Sequence, residues 1–149
     1  NAILNTPCFL PSASKFFYQF NLKDVSNIFQ GLLTTRKEHF KEGAAKFSRV
    51  WLHECKRVFG DRLNQPGDEV EMQAILDKVA AKHFQGITRD ELFAEPLLFT
   101  SFISAAGGNE KVYLPARDMQ QVKKVVEDKL VEYNEAFAAM NLVLFDAAL

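Results

Sequence analysis

His53-Glu54, inside a strongly periodic apolar stretch, is the pair with which a helical zinc-peptidase motif begins. Such a site needs a second imidazole four residues after the first, so that both rings reach one ion from one helix face, and position 57 is Arg57. With Trp51 and Cys55 on either side, His53 reads as a structural or surface residue. His39 and His83 have no cysteine or carboxylate at ligand spacing, and the two thiols, Cys8 and Cys55, are too distant in sequence to define a zinc knuckle or a disulfide framework. No serine is framed as a nucleophile elbow, and Gly107-Gly108 stand outside any phosphate-cradling glycine loop. The residues therefore assign no catalytic group and no metal ligand.

Composition narrows the class further. The chain has 149 residues, 48% of them hydrophobic and 25% charged, with a formal net charge of -1, so the basic excess of a nucleic-acid binder is missing. No stretch approaches the roughly 20 apolar residues of a membrane span, and the first ten residues lack a basic-then-apolar leader pattern. The expectation is an intracellular, soluble chain in a reducing compartment, with no nucleic-acid or membrane partner. The last ten residues, Met140-Asn-Leu-Val-Leu-Phe-Asp-Ala-Ala-Leu149, run apolar to the end, as if cut from a longer polypeptide.

The elements that would carry these residues are helical. Asn21 offers a cap ahead of Leu22, Val25, Ile28, Phe29, Leu32 and Leu33, which fall on one helical face. Residues 34–42 read as a surface connection. Phe47, Val50, Trp51, Cys55, Val58, Phe59 and Leu63 recur at three- and four-residue steps, a stripe that reads as core. Asn64-Gln65-Pro66-Gly67 should stop that helix, and Asp68, Met72, Ile75, Leu76 and Val79 resume the period until Gly86. Thr88-Arg-Asp-Glu91 fits a capping box for a short helix ending near Pro96. Residues 105–109 suggest a loop and residues 111–114 a short extended piece. Asp118 then caps a long helix with Met119, Val122, Val126, Leu130 and Tyr133 on one face, and a last helix begins near Asn141. The charges of the long helix, Lys123, Lys124, Glu127, Asp128 and Lys129, read as a solvated face.

Four blocks, in order, resemble the axonemal dynein heavy chain family, with outer-arm chains the nearest in wording. They are Lys15-Phe-Phe-Tyr-Gln-Phe-Asn-Leu-Lys-Asp-Val-Ser-Asn-Ile-Phe-Gln-Gly-Leu-Leu33, Val50-Trp-Leu-His-Glu-Cys-Lys-Arg-Val-Phe-Gly-Asp-Arg-Leu63, Val112-Tyr-Leu-Pro115 and Met140-Asn-Leu-Val-Leu-Phe145. The resemblance implies a mainly α fold: the helical lid of the third AAA+ module over residues 1–110, a linking helix over 111–139, and the first helix of the fourth module over 140–149. At most short extended pieces are expected.

The resemblance also implies a role. The parent protein would be a microtubule-based motor ATPase of the ciliary or flagellar axoneme, within the cytoplasm and cytoskeleton, and this stretch would couple the nucleotide states of adjacent modules. ATP or ADP would be bound by the parent modules, with Mg expected only through residues outside these 149. Partners would be the neighbouring AAA+ modules, and, through other regions, the microtubule and dynein intermediate and light chains. Lys23 matches the position where the family usually has an arginine that senses the nucleotide's terminal phosphate; lysine keeps the charge and loses the planar fork. Asn141, Leu142 and Val143 match the stretch that approaches the adenine of the following module. With no phosphate loop or catalytic acid, these residues alone should be inactive. The rival reading is a free-standing α-helical adaptor without nucleotide.

Overall fold

A computed structural model describes residues 3–40, 43–103 and 112–144. The chain divides into two compact units, Asn1–Ala94 and Glu95–Leu149.

In the first unit, helix α1 (Leu22–Leu33) begins where Asn21 and Asp24 form a reciprocal capping box. Asn21 Oδ1 accepts from the Lys23 amide at 2.8 Å, and Asp24 Oδ2 accepts from the Asn21 amide at 2.9 Å. The expected cap is therefore present, and two of the amide groups that a helix start leaves open are satisfied. After α1 a 3₁₀ turn, Lys37–Phe40, lies within the expected surface connection.

Helix α2 (Ala44–Phe59) is the centre of this unit. Val50, Leu52 and Glu54 are completely inaccessible to solvent, and Ser48, His53, Cys55, Val58 and Phe59 are buried with them. Burial on successive residues means that α2 is covered on more than one face, unlike a surface helix with a single apolar stripe. The stripe read from the sequence is correspondingly only part of the core, and Phe47, its first member, is exposed. Where α1 crosses α2, Gly31 lies against the Glu54 carboxyl with no room for a Cβ between them.

A 3₁₀ turn, Gly60–Arg62, continues directly from α2. The expected stop holds, and helix α3 (Pro66–His83) begins within it, with Pro66 in its first turn. A proline at this position forgoes an amide that would be unpaired anyway, and its fixed φ suits a helix beginning. Asp68, Met72, Ile75, Leu76 and Ala80 face inward. Gly86, at φ 85°, turns the chain out of the helix region. Thr88 then caps the short helix α4 (Arg89–Leu92), its hydroxyl accepting from the Glu91 amide at 3.2 Å.

The second unit holds a minimal antiparallel pair, β1 (Phe99–Thr100) with β2 (Leu114–Pro115), in which Phe99 faces Pro115 and Thr100 faces Leu114. The expected loop at residues 105–109 lies outside the described residues. Helix α5 (Met119–Ala136) is capped by Asp118, whose Oδ1 accepts from the Gln121 amide at 2.7 Å. Of its apolar face only Val122 is buried.

The helix expected to begin near Asn141 differs from the structure, in which residues 137–144 are not helical. The Asn134 side-chain amide takes both backbone groups of Met140, donating to its carbonyl at 3.2 Å and accepting from its N–H at 2.7 Å. That clasp closes a loop over residues 137–139 instead of opening a new helix. Residues 145–149 lie outside the described residues.

Candidate functional site

Lys23 stands in the first turn of α1 and is exposed. Among the described residues its ammonium takes no hydrogen bond or ion pair. It lines an open groove of about 520 Å³ with Phe16, Gln19, Asn21, Asn27 and Arg62. Two cationic side chains therefore border one groove, one from the start of α1 and one from the turn after α2.

The bottom of this groove is built tightly. Asp24, only 3% exposed, accepts from Arg62 Nη2 at 2.5 Å through Oδ1 while its Oδ2 holds the Asn21 amide. The Arg62 guanidinium lies 5.6 Å from the centroid of the Phe20 ring, and that ring meets Phe59 edge-on at 5.6 Å and Phe9 at 6.1 Å. Close by, the buried Tyr18 hydroxyl donates to Asn64 Oδ1 and accepts from the Asn64 amide, both at 2.9 Å. Burial raises the Tyr18 phenol's pKa. Lys15 donates to Asp68 at 2.5 Å, and this bond raises the pKa of its ammonium. The segment that enters α1 is thus fixed to α2 and α3 by aromatic packing and by charged pairs whose acids, Asp24 and Asp68, are buried.

Chemically, the groove suits an anion, through a particular route. At this helix start, where backbone amides commonly receive phosphate, the capping box engages the Lys23 amide through Asn21 and the amide of the cap residue Asn21 through Asp24. Attraction for a negative group consequently falls to the Lys23 side chain.

Residues 3–94 match the AAA+ lid domain. The chain belongs to the AAA+ lid domain family. It is also similar along nearly its whole length to axonemal dynein heavy chains: it is 42% identical to human dynein axonemal heavy chain 17 over 96% of the chain. Identity to the dynein beta chain of the flagellar outer arm from Chlamydomonas reinhardtii is 42% over 95% of the chain, and to the ciliary dynein beta chain of Heliocidaris crassispina 38% over 95%. The chain spans about 3% of the length of these relatives. The mainly helical fold and the dynein resemblance expected from sequence both hold, and nothing favours the free-standing adaptor.

The sequence-predicted site residues belong to different units. Lys23 lies in the unit that contains the lid, whereas Asn141, Leu142 and Val143 lie in the other. All three of the latter are exposed, Val143 at 81%. Sequence reasoning did not single out Asp24 and Arg62. Asp24 closes an Asn-x-x-Asp cap pattern and was legible as such, but its pairing with a residue 38 positions away has no local signal. His53 is buried in α2, with Nε2 3.8 Å from Glu54 Oε1, and among the described residues no group of three His, Cys, Asp or Glu side chains could hold a metal ion.

Proposed function

We propose that this chain is the part of an axonemal dynein heavy chain that carries the lid of the third AAA+ module across to the fourth, and that Lys23 senses the terminal phosphate of the nucleotide held by the third. In this reading residues 1–110 are the lid region, 111–139 the linking helix and 140–149 the beginning of the next module. The parent is a microtubule motor ATPase of cilia and flagella. Its nucleotides are ATP and ADP, with Mg bound by residues elsewhere, and its other partners are reached through other regions.

The observation that carries the reading is Lys23 itself: an exposed ammonium, without a partner among the described residues, aimed from a capped and anchored helix start onto an open groove. A single mobile cation adds attraction for the extra charge of ATP over ADP, although without the bidentate geometry of arginine. Coupling then follows from rigidity. The α1–α2 crossing, where Gly31 leaves space only for the Glu54 carboxyl, favours movement of the lid as one body when the charge near Lys23 changes. At the other end, the exposed apolar side chains of Leu142 and Val143 and the amide of Asn141 suit a flat base with a polar edge.

The test is Lys23→Ala in the full heavy chain, with ATP and ADP affinity measured at the third module. ATP should bind about tenfold more weakly and ADP nearly unchanged. Unaltered ATP affinity would remove the sensing role.

A further inference from the structure

We infer that Arg62 is a positioning residue for Lys23, acting through Asp24 and Asn21 rather than by touching the nucleotide; this rests on the phosphate-sensing reading of Lys23 given above. A continuous chain of hydrogen bonds supports it. Arg62 Nη2 donates to Asp24 Oδ1 at 2.5 Å, the Asn21 amide donates to Asp24 Oδ2 at 2.9 Å, and the Lys23 amide donates to Asn21 Oδ1 at 2.8 Å. The last link ends on the Lys23 amide, beside the Cα from which its side chain springs.

The chemistry of lysine makes that backbone matter. An arginine at position 23 would bring its own planar fork and orient itself on an anion through two parallel hydrogen bonds. Lysine carries a point charge on a four-carbon stem, so its aim depends on where its Cα is held. The holding charge pair is well supported. Asp24 is 3% exposed, so its carboxylate depends on Arg62 for neutralisation, and Arg62 is steadied against the Phe20 ring, which packs on Phe59 at the end of α2. Through Arg62 the core helix of the lid fixes the first turn of α1, which contains the sensing lysine.

The experiment is a double-mutant cycle in the full heavy chain, reading ATP and ADP affinity at the third module together with thermal unfolding. Arg62→Ala is expected to weaken ATP about fivefold while leaving ADP within about twofold, and Arg62→Lys to recover most of the loss. In a Lys23→Ala background, Arg62→Ala should have no further effect on the ATP preference. If the Arg62 loss persists undiminished there, Arg62 meets the nucleotide itself and the positioning role is overturned. A folded Arg62→Ala protein with the wild-type preference overturns it as well. Should Arg62→Ala unfold the lid, the pair Asp24→Asn with Arg62→Ala removes both charges and keeps an oxygen for the Asn21 amide. That protein must show the same loss of ATP preference, and a wild-type preference rejects the inference. A silent Lys23→Ala has a different signature, since it removes the sensing reading and this inference together.

Discussion

Helices α2 and α5 are of similar length, 16 and 18 residues, yet α2 buries eight side chains and α5 buries one. Both read from the sequence as amphipathic helices, and the difference lies in what holds them. Helix α2 is held by packing on several sides, including a fully buried carboxylate, Glu54, that Arg57 grips with Nη2 at 2.6 Å and Nε at 3.2 Å. Helix α5 is held mainly by local bonds at its ends and along its surface: the Asp118 cap, the Lys129–Glu132 pair at 2.7 Å and the Asn134 clasp on Met140. Tertiary burial supplies most helix stability in folded proteins, whereas local bonds contribute a few tenths to about one kcal/mol each. Helices α2 and α5 should therefore respond to perturbation on different scales.

The largest contrast comes from truncating an apolar side chain in each helix. Leu52→Ala in α2, at a site with no solvent exposure, should lower stability by about 3 kcal/mol, from lost transfer energy and the cavity left behind. Val131→Ala in α5, where the side chain is 58% exposed, should stay within about 0.5 kcal/mol. Thermal or denaturant unfolding decides it. Equal losses would mean that α5 is covered as thoroughly as α2.

Gly31→Ala sharpens the comparison from the backbone side. In a helix interior this change ordinarily stabilises by about 1 kcal/mol. Here the new Cβ would overlap the buried Glu54 carboxyl, which its ion pair with Arg57 keeps in place, so a net loss of about 1–3 kcal/mol is expected. Gly60→Ala is the control, because the nearest atom to its new Cβ is Lys56 Cβ at 3.9 Å. Stabilisation by Gly31→Ala would show that Glu54 yields easily.

A third effect belongs to the thiol on α2. Burial, and then the charge of neighbouring Glu54, push the Cys55 thiol up to about 12 from an ordinary value of 9.0. The unfolded chain thus loses this proton first as pH rises. The resulting loss of stability is absent below about pH 9 and grows between 9 and 12. At pH 10 the wild type should have lost about 1.4 kcal/mol relative to its standing against Cys55→Ala at pH 8. Parallel pH profiles for the two proteins would contradict this.

Legibility in the sequence followed range. The caps at Asn21, Thr88 and Asp118 could be read because each bonds within three residues of itself, and all three are present. The break at residues 64–67 was legible, since the preceding helical region ends at Arg62, but Pro66 also opens the next helix, because a proline marks a helix stop or a helix start with the same local signal. Near Asn141, where a helix was expected, the described residues to 144 are not helical, and the Asn134 side chain holds the Met140 backbone from six residues away, a contact that apolar periodicity does not encode. At the candidate site, Lys23 came from family resemblance and its cap from local pattern. Its connection to Arg62 is a contact between elements, which periodicity cannot convey.

The smallest effect is at the start of α5, and its sign follows from the cap. Asp118 accepts from the Gln121 amide and, secondarily, pairs with Arg117 Nε at 2.9 Å, and these hold its carboxyl below the usual value of 3.8. The folded form therefore favours the charged carboxylate. The contribution is fully present above the unfolded pKa and is lost as pH falls through the lowered folded value. Because Asp118 lies at the surface, salt and solvent screen much of this, and the change should be local. Amide exchange is the suitable probe: acidification below about pH 4 should deprotect Gln121 in excess of the intrinsic pH dependence. Asp118→Asn, which keeps a capping oxygen without titrating, should remove the pH response while retaining much of the neutral-pH protection. The amides of α2 should remain protected throughout. If they open together with Gln121, α5 and the lid core are one cooperative unit, and the division between a packed helix and a locally held one does not stand.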